Sequence, residues 1–211
     1  MLVTEAYVEQ AKVWPKAGRH ILAQFDDETV IVYQAYREAI GQFAVDHGRI
    51  GGEFSYSRMS WIKPNFLWMM YRSGWGTKTD QKITLALRLR STFFDSILAA
   101  AVPSNFDGEQ FDTEDEWARA VAGSSVRLQW DPDHHPSGAK LERRAIQLGL
   151  RGDVLEAFGM HELVEVIDLS HFVAEQRTAL AERGVDALVT PRERIYWPAD
   201  RGVATQLRLD D

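Results

Sequence analysis

Period-two alternation of apolar and polar residues marks several strands. His20–Phe25 and Val30–Ala35 flank the turn Asp26-Asp27-Glu28-Thr29, and the three together predict a hairpin. Lys82–Arg90 sets Ile83, Leu85, Leu87 and Leu89 against Lys82, Thr84, Arg88 and Arg90, the signature of a half-buried strand. Val126, Leu128 and Trp130 repeat the pattern, as do Ile146, Leu148 and Leu150, while Leu163–Leu169 and Arg194–Trp197 carry it more faintly. Helical stretches lie between them. Arg37–His47 ends at Gly48, Thr92–Ala101 stops before Pro103, and Ser170–Arg183 ends at Gly184 with Ser170 as N-cap. Pro64 suits the first turn of a helix running to Ser73 and closed by Gly74. The acidic segment 103–116 reads as an exposed loop entering a helix near Thr113, with Glu116 completing a capping box.

These elements predict a single α+β domain, with about seven strands in a mixed, mostly antiparallel sheet, whole or split, and helices interspersed. A regular βαβ repeat does not fit, and no glycine-rich nucleotide fingerprint follows a strand.

Composition narrows the function. The chain has 211 residues, 45 % of them hydrophobic, which suits one domain with a substantial core. It has no cysteine, so disulfides, thiolate metal sites and a cysteine nucleophile are excluded. The N-terminus MLVTEAYVEQ lacks a basic leader and an apolar run, and no apolar stretch approaches the roughly 18 residues that span a bilayer. The expectation is a cytoplasmic protein with no membrane partner. A net charge of −7 does not favour a nucleic-acid partner, although it leaves one open. The charge is uneven. Residues 57–90 carry seven bases and one acid, Asp80, so the island is +6 and the remainder −13. Such an island suits a compact anion such as a nucleotide, or it is a solvated face paired with acids elsewhere.

The island opens with SRMSWIKPNFLWMMYRSGWG, which places Trp61, Trp68 and Trp75 seven residues apart among Arg58, Lys63 and Arg72. One reading is a core helix. The other is a wall, with Trp61 or Tyr71 stacking on a ring while Arg58 and Arg72 address its phosphates and Lys63 joins them at the cofactor. The segment WDPDHHPSG, Trp130–Gly138, reads as a loop joining two strands, from which His134 or His135 would touch phosphate or substrate. Asp131, Asp133 and His134 are also metal-ligand types, but no spacing in the segment marks a metal site, and none is expected. No serine elbow nominates a nucleophilic triad.

Two resemblances add to this. Arg19 and His20 on the first strand, Tyr33 on the second, the segment Phe54-Ser55-Tyr56-Ser57 and the late Glu193 resemble, in their order, ADP-ribosyltransferases. Members of that superfamily share a split mixed sheet around an NAD cleft. The resemblance implies NAD as cofactor, with Glu193 stabilising the cation that develops at the ribose, Tyr33 and His20 beside it, and Arg19, Ser55 and Ser57 holding the dinucleotide. Pro191 stands where arginine-modifying members carry an acid, so the resemblance does not extend to a protein-arginine acceptor. The alternatives are a non-catalytic module for a nucleotide or single-stranded nucleic acid, a structural or interaction domain, and a metal hydrolase at Asp131, Asp133 and His134. Separately, RHILAQFDDETVIVYQAY, the tryptophan block, WDPDHHPSG with RRAIQLGLRG, and TPRERIYWP are similar to the family called domain of unknown function 4291. That similarity implies that the four blocks meet in space and transfers no activity.

Overall fold

A computed structural model describes residues 2–210. The strands are β1 (Thr4–Ala6), β2 (Gly18–Arg19), β3 (Leu22–Ala23), β4 (Thr29–Tyr36), β5 (Ser60–Ile62) and β6 (Ile83–Arg90). They continue with β7 (Ala101–Pro103), β8 (Val126–His134), β9 (Lys140–Leu150), β10 (Leu163–Asp168), β11 (Val189–Pro191) and β12 (Arg194–Ile195). The helices are α1 (Tyr7–Val13), α2 (Glu38–His47), α3 (Phe66–Ser73) and α4 (Ser91–Ala99). After them come α5 (Glu114–Gly123), α6 (Gly152–Met160), α7 (Ser170–Arg183) and α8 (Arg201–Leu207). The class is α+β, as the alternation predicts. Among the described residues no helix is long and apolar enough to cross a membrane.

Two sheets carry the structure. One is antiparallel, in the order β10-β6-β4; the other runs β2-β9-β8-β7, with β5 also pairing with β9. β4 lies against β6 along its whole length, from Thr29↔Arg90 to Tyr36↔Ile83. Its alternation reads as half-buried, yet Thr29–Gln34 are all buried. Val30 and Val32 enter one apolar cluster with Leu87 and Phe94, and Ile31 and Tyr33 enter a second with Phe66 and Met70. A strand packed on both faces reads as a continuous apolar run, which is what VIVY is.

The hairpin turn forms because Asp26 Oδ1 accepts from the amides of Glu28 and Thr29 at 3.1 and 2.7 Å. Its first arm, β3, is only two residues long and pairs with β12. α2 closes at Gly48 in the left-handed region, and α5 starts at Thr113, whose hydroxyl accepts from Glu116 N. α7 starts one position from expectation: Leu169 is the N-cap, and the Asp168 side chain accepts from Ser170 N at 2.7 Å. β8 runs on through His134, because β9 pairs back to His134 from Lys140. The loop expected at 130–138 is thus reduced to a turn, where His135 N donates to Ala139 O.

Candidate functional site

The two sheets meet at one residue pair. Tyr33 N donates to Lys63 O at 2.7 Å and Lys63 N to Tyr33 O at 3.3 Å. The next residue is Pro64, which has no N–H, and the chain leaves the ladder there to enter α3. In the other direction β4 and β5 part. Along a strand, peptide groups of alternate residues face the same edge, so those of Ala35 and Trp61 face each other across the gap. The Gln34 side chain fills part of it, donating to Ser60 Oγ at 2.8 Å and to Trp61 O at 3.1 Å.

The parting strands open a crevice of about 780 Å³, bounded by the 53–61 segment, α3 and the polar face of β8 and β9. Trp61, Lys63, Ser55, Arg58 and Arg72 all line it. Trp61 can lie along its wall because Gly149 stands opposite on β9. A Cβ at Gly149 would sit 2.7 Å from Met59 Sδ and 3.0 Å from the Trp61 ring. Arg37, also at the rim, is paired with Glu53 at 2.7 Å. Arg58 and Arg72 are exposed and make no ion pair among the described residues.

Lys63 is the unusual member. It is only 4 % exposed, yet it forms no ion pair among the described residues, and it lines the crevice. Burial, reinforced by the Arg72 charge and opposed by Asp131, lowers its pKa to about 8. The sheet register explains why Asp131 is near. Ile62 pairs with Leu148, so Lys63 falls opposite Gln147, which pairs with Gln129. Asp131, two residues along β8 from Gln129, shares that face. Both its oxygens are held, by Gln129 Nε2 at 2.9 Å and Gln147 Nε2 at 2.7 Å. Gln34, Gln129 and Gln147 carry no motif; the only trace of them in the sequence is their polar parity on otherwise apolar strands.

α3 is apolar nearly all round: Phe66, Leu67, Trp68, Met69 and Met70 are buried, while Tyr71 and Arg72 are exposed. Its N-terminus is closed by two side chains. Asn65 Oδ1 accepts from Trp68 N at 2.7 Å, and Glu193 Oε1 accepts from Phe66 N at 2.6 Å. Gly74, at φ 60°, ends it. Trp75 therefore lies beyond the helix, and the seven-residue spacing does not place the tryptophans on one face. Trp68 and Tyr71 instead stack with His134, whose ring centroid is 5.3 and 3.5 Å from theirs. Trp75 is half-buried against Phe66.

The remaining sequence candidates are dispersed. Glu193 is buried, with Oε1 on α3 and Oε2 accepting from Asn65 Nδ2 at 3.1 Å; it does not line the crevice. Burial pushes its carboxyl well above the usual range, against the pull of the Phe66 amide. Tyr33 is wholly buried against Phe66, with rings 5.5 Å apart, so it offers no stacking face; burial and Glu193 raise its hydroxyl. His20 is buried with Nε2 3.0 Å from Ala17 O. Arg19 lines a separate hollow with Arg144 and Arg208. Ser57 lies outside the crevice lining, 2.9 Å from Ser55 Oγ. His134 is buried, away from both hollows, and burial lowers its pKa. The structure thus joins Ser55, Arg58, Trp61, Lys63 and Arg72 in one lining, from which Arg19, His20, Ser57, His134 and Glu193 are absent and which Tyr33 meets only through its backbone bonds to Lys63. The metal-hydrolase reading also fails to assemble. Asp131 is held by amides and Asp133 by Arg143, and among the described residues no three His, Asp or Glu groups converge as a metal site.

The four sequence blocks do meet: β12 pairs with β3, β4 touches Lys63, β5 pairs with β9, and Glu193 closes α3. A search of curated proteins found no match. A family profile matches residues 20–196, which contain every element around the crevice. The chain belongs to the family described as domain of unknown function (DUF4291).

Proposed function

We propose that this protein binds an anionic, ring-bearing small molecule of the nucleotide class, NAD among them, in the crevice between β4 and β5. The observation that carries this reading is the pairing of two uncommitted guanidinium groups, Arg58 and Arg72, with the half-buried ring of Trp61. Guanidinium groups take phosphate oxygens two at a time, and an indole face accepts a planar base. The crevice offers one tryptophan rather than a row of them, which suits a single nucleotide better than a strand of nucleic acid. Glycosyl transfer at this crevice would need a carboxylate other than Glu193, since that side chain is committed to α3.

Calorimetry with ADP and with NAD at low ionic strength tests the reading. Binding should weaken by about tenfold or more in Arg58→Ala and in Arg72→Ala, the loss of one charge-assisted contact. Absence of binding at millimolar nucleotide, or affinity indifferent to both substitutions, contradicts it. Release of nicotinamide in the same mixtures would extend the reading from binding to transfer.

A further inference from the structure

We propose that Lys63 is a carbonyl-reactive amine that forms an imine with an aldehyde or ketone bearing an anionic group. The inference rests on the anion-binding reading of the crevice and adds a covalent step to it. Four observations lead to it. Lys63 is buried yet lines the crevice, and among the described residues no carboxylate lies within ion-pair distance of it. The acid on its sheet face that acts on its charge, Asp131, has both oxygens engaged by Gln129 and Gln147. The lysine backbone is fixed by two hydrogen bonds to Tyr33 at the point where the sheets join, so the amine is rooted on rigid structure. Finally, charge recognition is already provided at the rim by the guanidinium groups of Arg58 and Arg72. A site built only to hold an anion gains nothing from burying a third, deprotonatable cation beneath them. A neutral amine is a nucleophile, and desolvation beside another cation is how lysines are made neutral.

Arg72 and Asp131 are the groups that shift this amine, in opposite senses, and Arg58, Asp80 and the Arg37–Glu53 pair also face the crevice. In the step, the Nζ lone pair forms a C–N bond to the carbonyl carbon as the C=O π pair moves to oxygen. Transfer of a proton from nitrogen to that oxygen gives a carbinolamine. The hydroxyl then leaves with a second proton as water while nitrogen closes the C=N bond. Amine and carbonyl become imine and water, with no change of oxidation state.

The test is reductive trapping on the full chain. The protein is incubated with pyridoxal 5′-phosphate near neutral pH, reduced with cyanoborohydride and mapped by peptide mass spectrometry. Lys12, Lys16, Lys78, Lys82 and Lys140 are all exposed and serve as internal references, so the result does not depend on a variant folding. The expected outcome is modification of Lys63 at least about tenfold over each of them, given the larger neutral fraction of a depressed amine. Even labelling of the exposed lysines with Lys63 unmodified overturns the proposal. Reversible binding of pyridoxal phosphate that competes with ADP, without an adduct on Lys63, overturns the imine and leaves the anion reading standing. Pyridoxal lacking the phosphate is the direct comparison: if it labels Lys63 as fully as the phosphate does, the imine stands and the anion reading falls. Lys63→Arg, which keeps the charge, should abolish the adduct at that position.

Discussion

Two buried cations sit on the same sheet and are treated in opposite ways. Arg143 on β9 is 4 % exposed, like Lys63 at the end of β5. Arg143 donates to Asp133 Oδ2 through Nε at 2.8 Å and Nη2 at 2.5 Å, and to Pro15 O at 2.5 Å. Its guanidinium also lies over the Trp14 ring, 5.3 Å from the centroid. Every feature that compensates desolvation of a charge is present there. Lys63 has none of them. The fold therefore can pair a buried cation, and at Lys63 it does not. That contrast assigns Arg143 to holding the structure together and Lys63 to meeting something from outside.

The largest effect should come from the compensated member. Arg143→Met leaves Asp133 buried without its partner and should destabilise the fold by about 3–5 kcal/mol in urea unfolding. A loss below about 1 kcal/mol would make the pair ornamental and dissolve the comparison. Lys63→Met should act with the opposite sign. Removing an unpaired buried ammonium should stabilise the protein near pH 7 by on the order of 3 kcal/mol. The pH dependence follows from a folded pKa of about 8 against 10.5 in the unfolded chain. Between those values the unfolded state binds more protons, so the wild type gains stability as pH rises and loses it as pH falls through about 8. The gap between wild type and Lys63→Met should be widest below pH 8 and close by about pH 10.5, whereas a constant gap would indicate a packing effect.

Glu193→Gln gives a smaller effect. The amide keeps one acceptor for Phe66 N but sets a donor against Asn65 Nδ2, so a cost of about 1–3 kcal/mol is expected with ligand affinity unaltered. Lost affinity at unchanged stability would instead place Glu193 at the ligand. The smallest effect on folding belongs to Arg58→Ala, within about 0.5 kcal/mol by thermal melting, because the side chain is exposed and unpaired. A larger destabilisation would show that the rim is structural.

Much of this scaffold is legible in the sequence, because β6 and β9 announce themselves by alternation and α3 by its Pro64 and Gly74 boundaries. Short elements such as α1 and α8, seven residues each, span too few turns for a period to register. The crevice itself is a place where pairing stops, and nothing in local sequence marks a missing ladder partner. Arg58, Trp61, Lys63 and Arg72 stand together in one block, so their proximity is readable. The burial of Lys63 between two exposed arginines depends on where β4 and β9 pass, which no local pattern encodes. Glu193 shows the converse: a late glutamate fits a catalytic motif by order, while its role is set by α3, which begins 127 residues earlier in the chain at Phe66.

The most direct measurement is the titration of Lys63 by NMR, following its side-chain Cε and Nζ shifts in the protein labelled at lysine. An apparent pKa near 8 is expected in the free protein, well below the ordinary lysine value of 10.5, rising when inorganic pyrophosphate or ADP occupies the crevice. Titration of Lys63 together with the exposed lysines, unmoved by either anion, would contradict it.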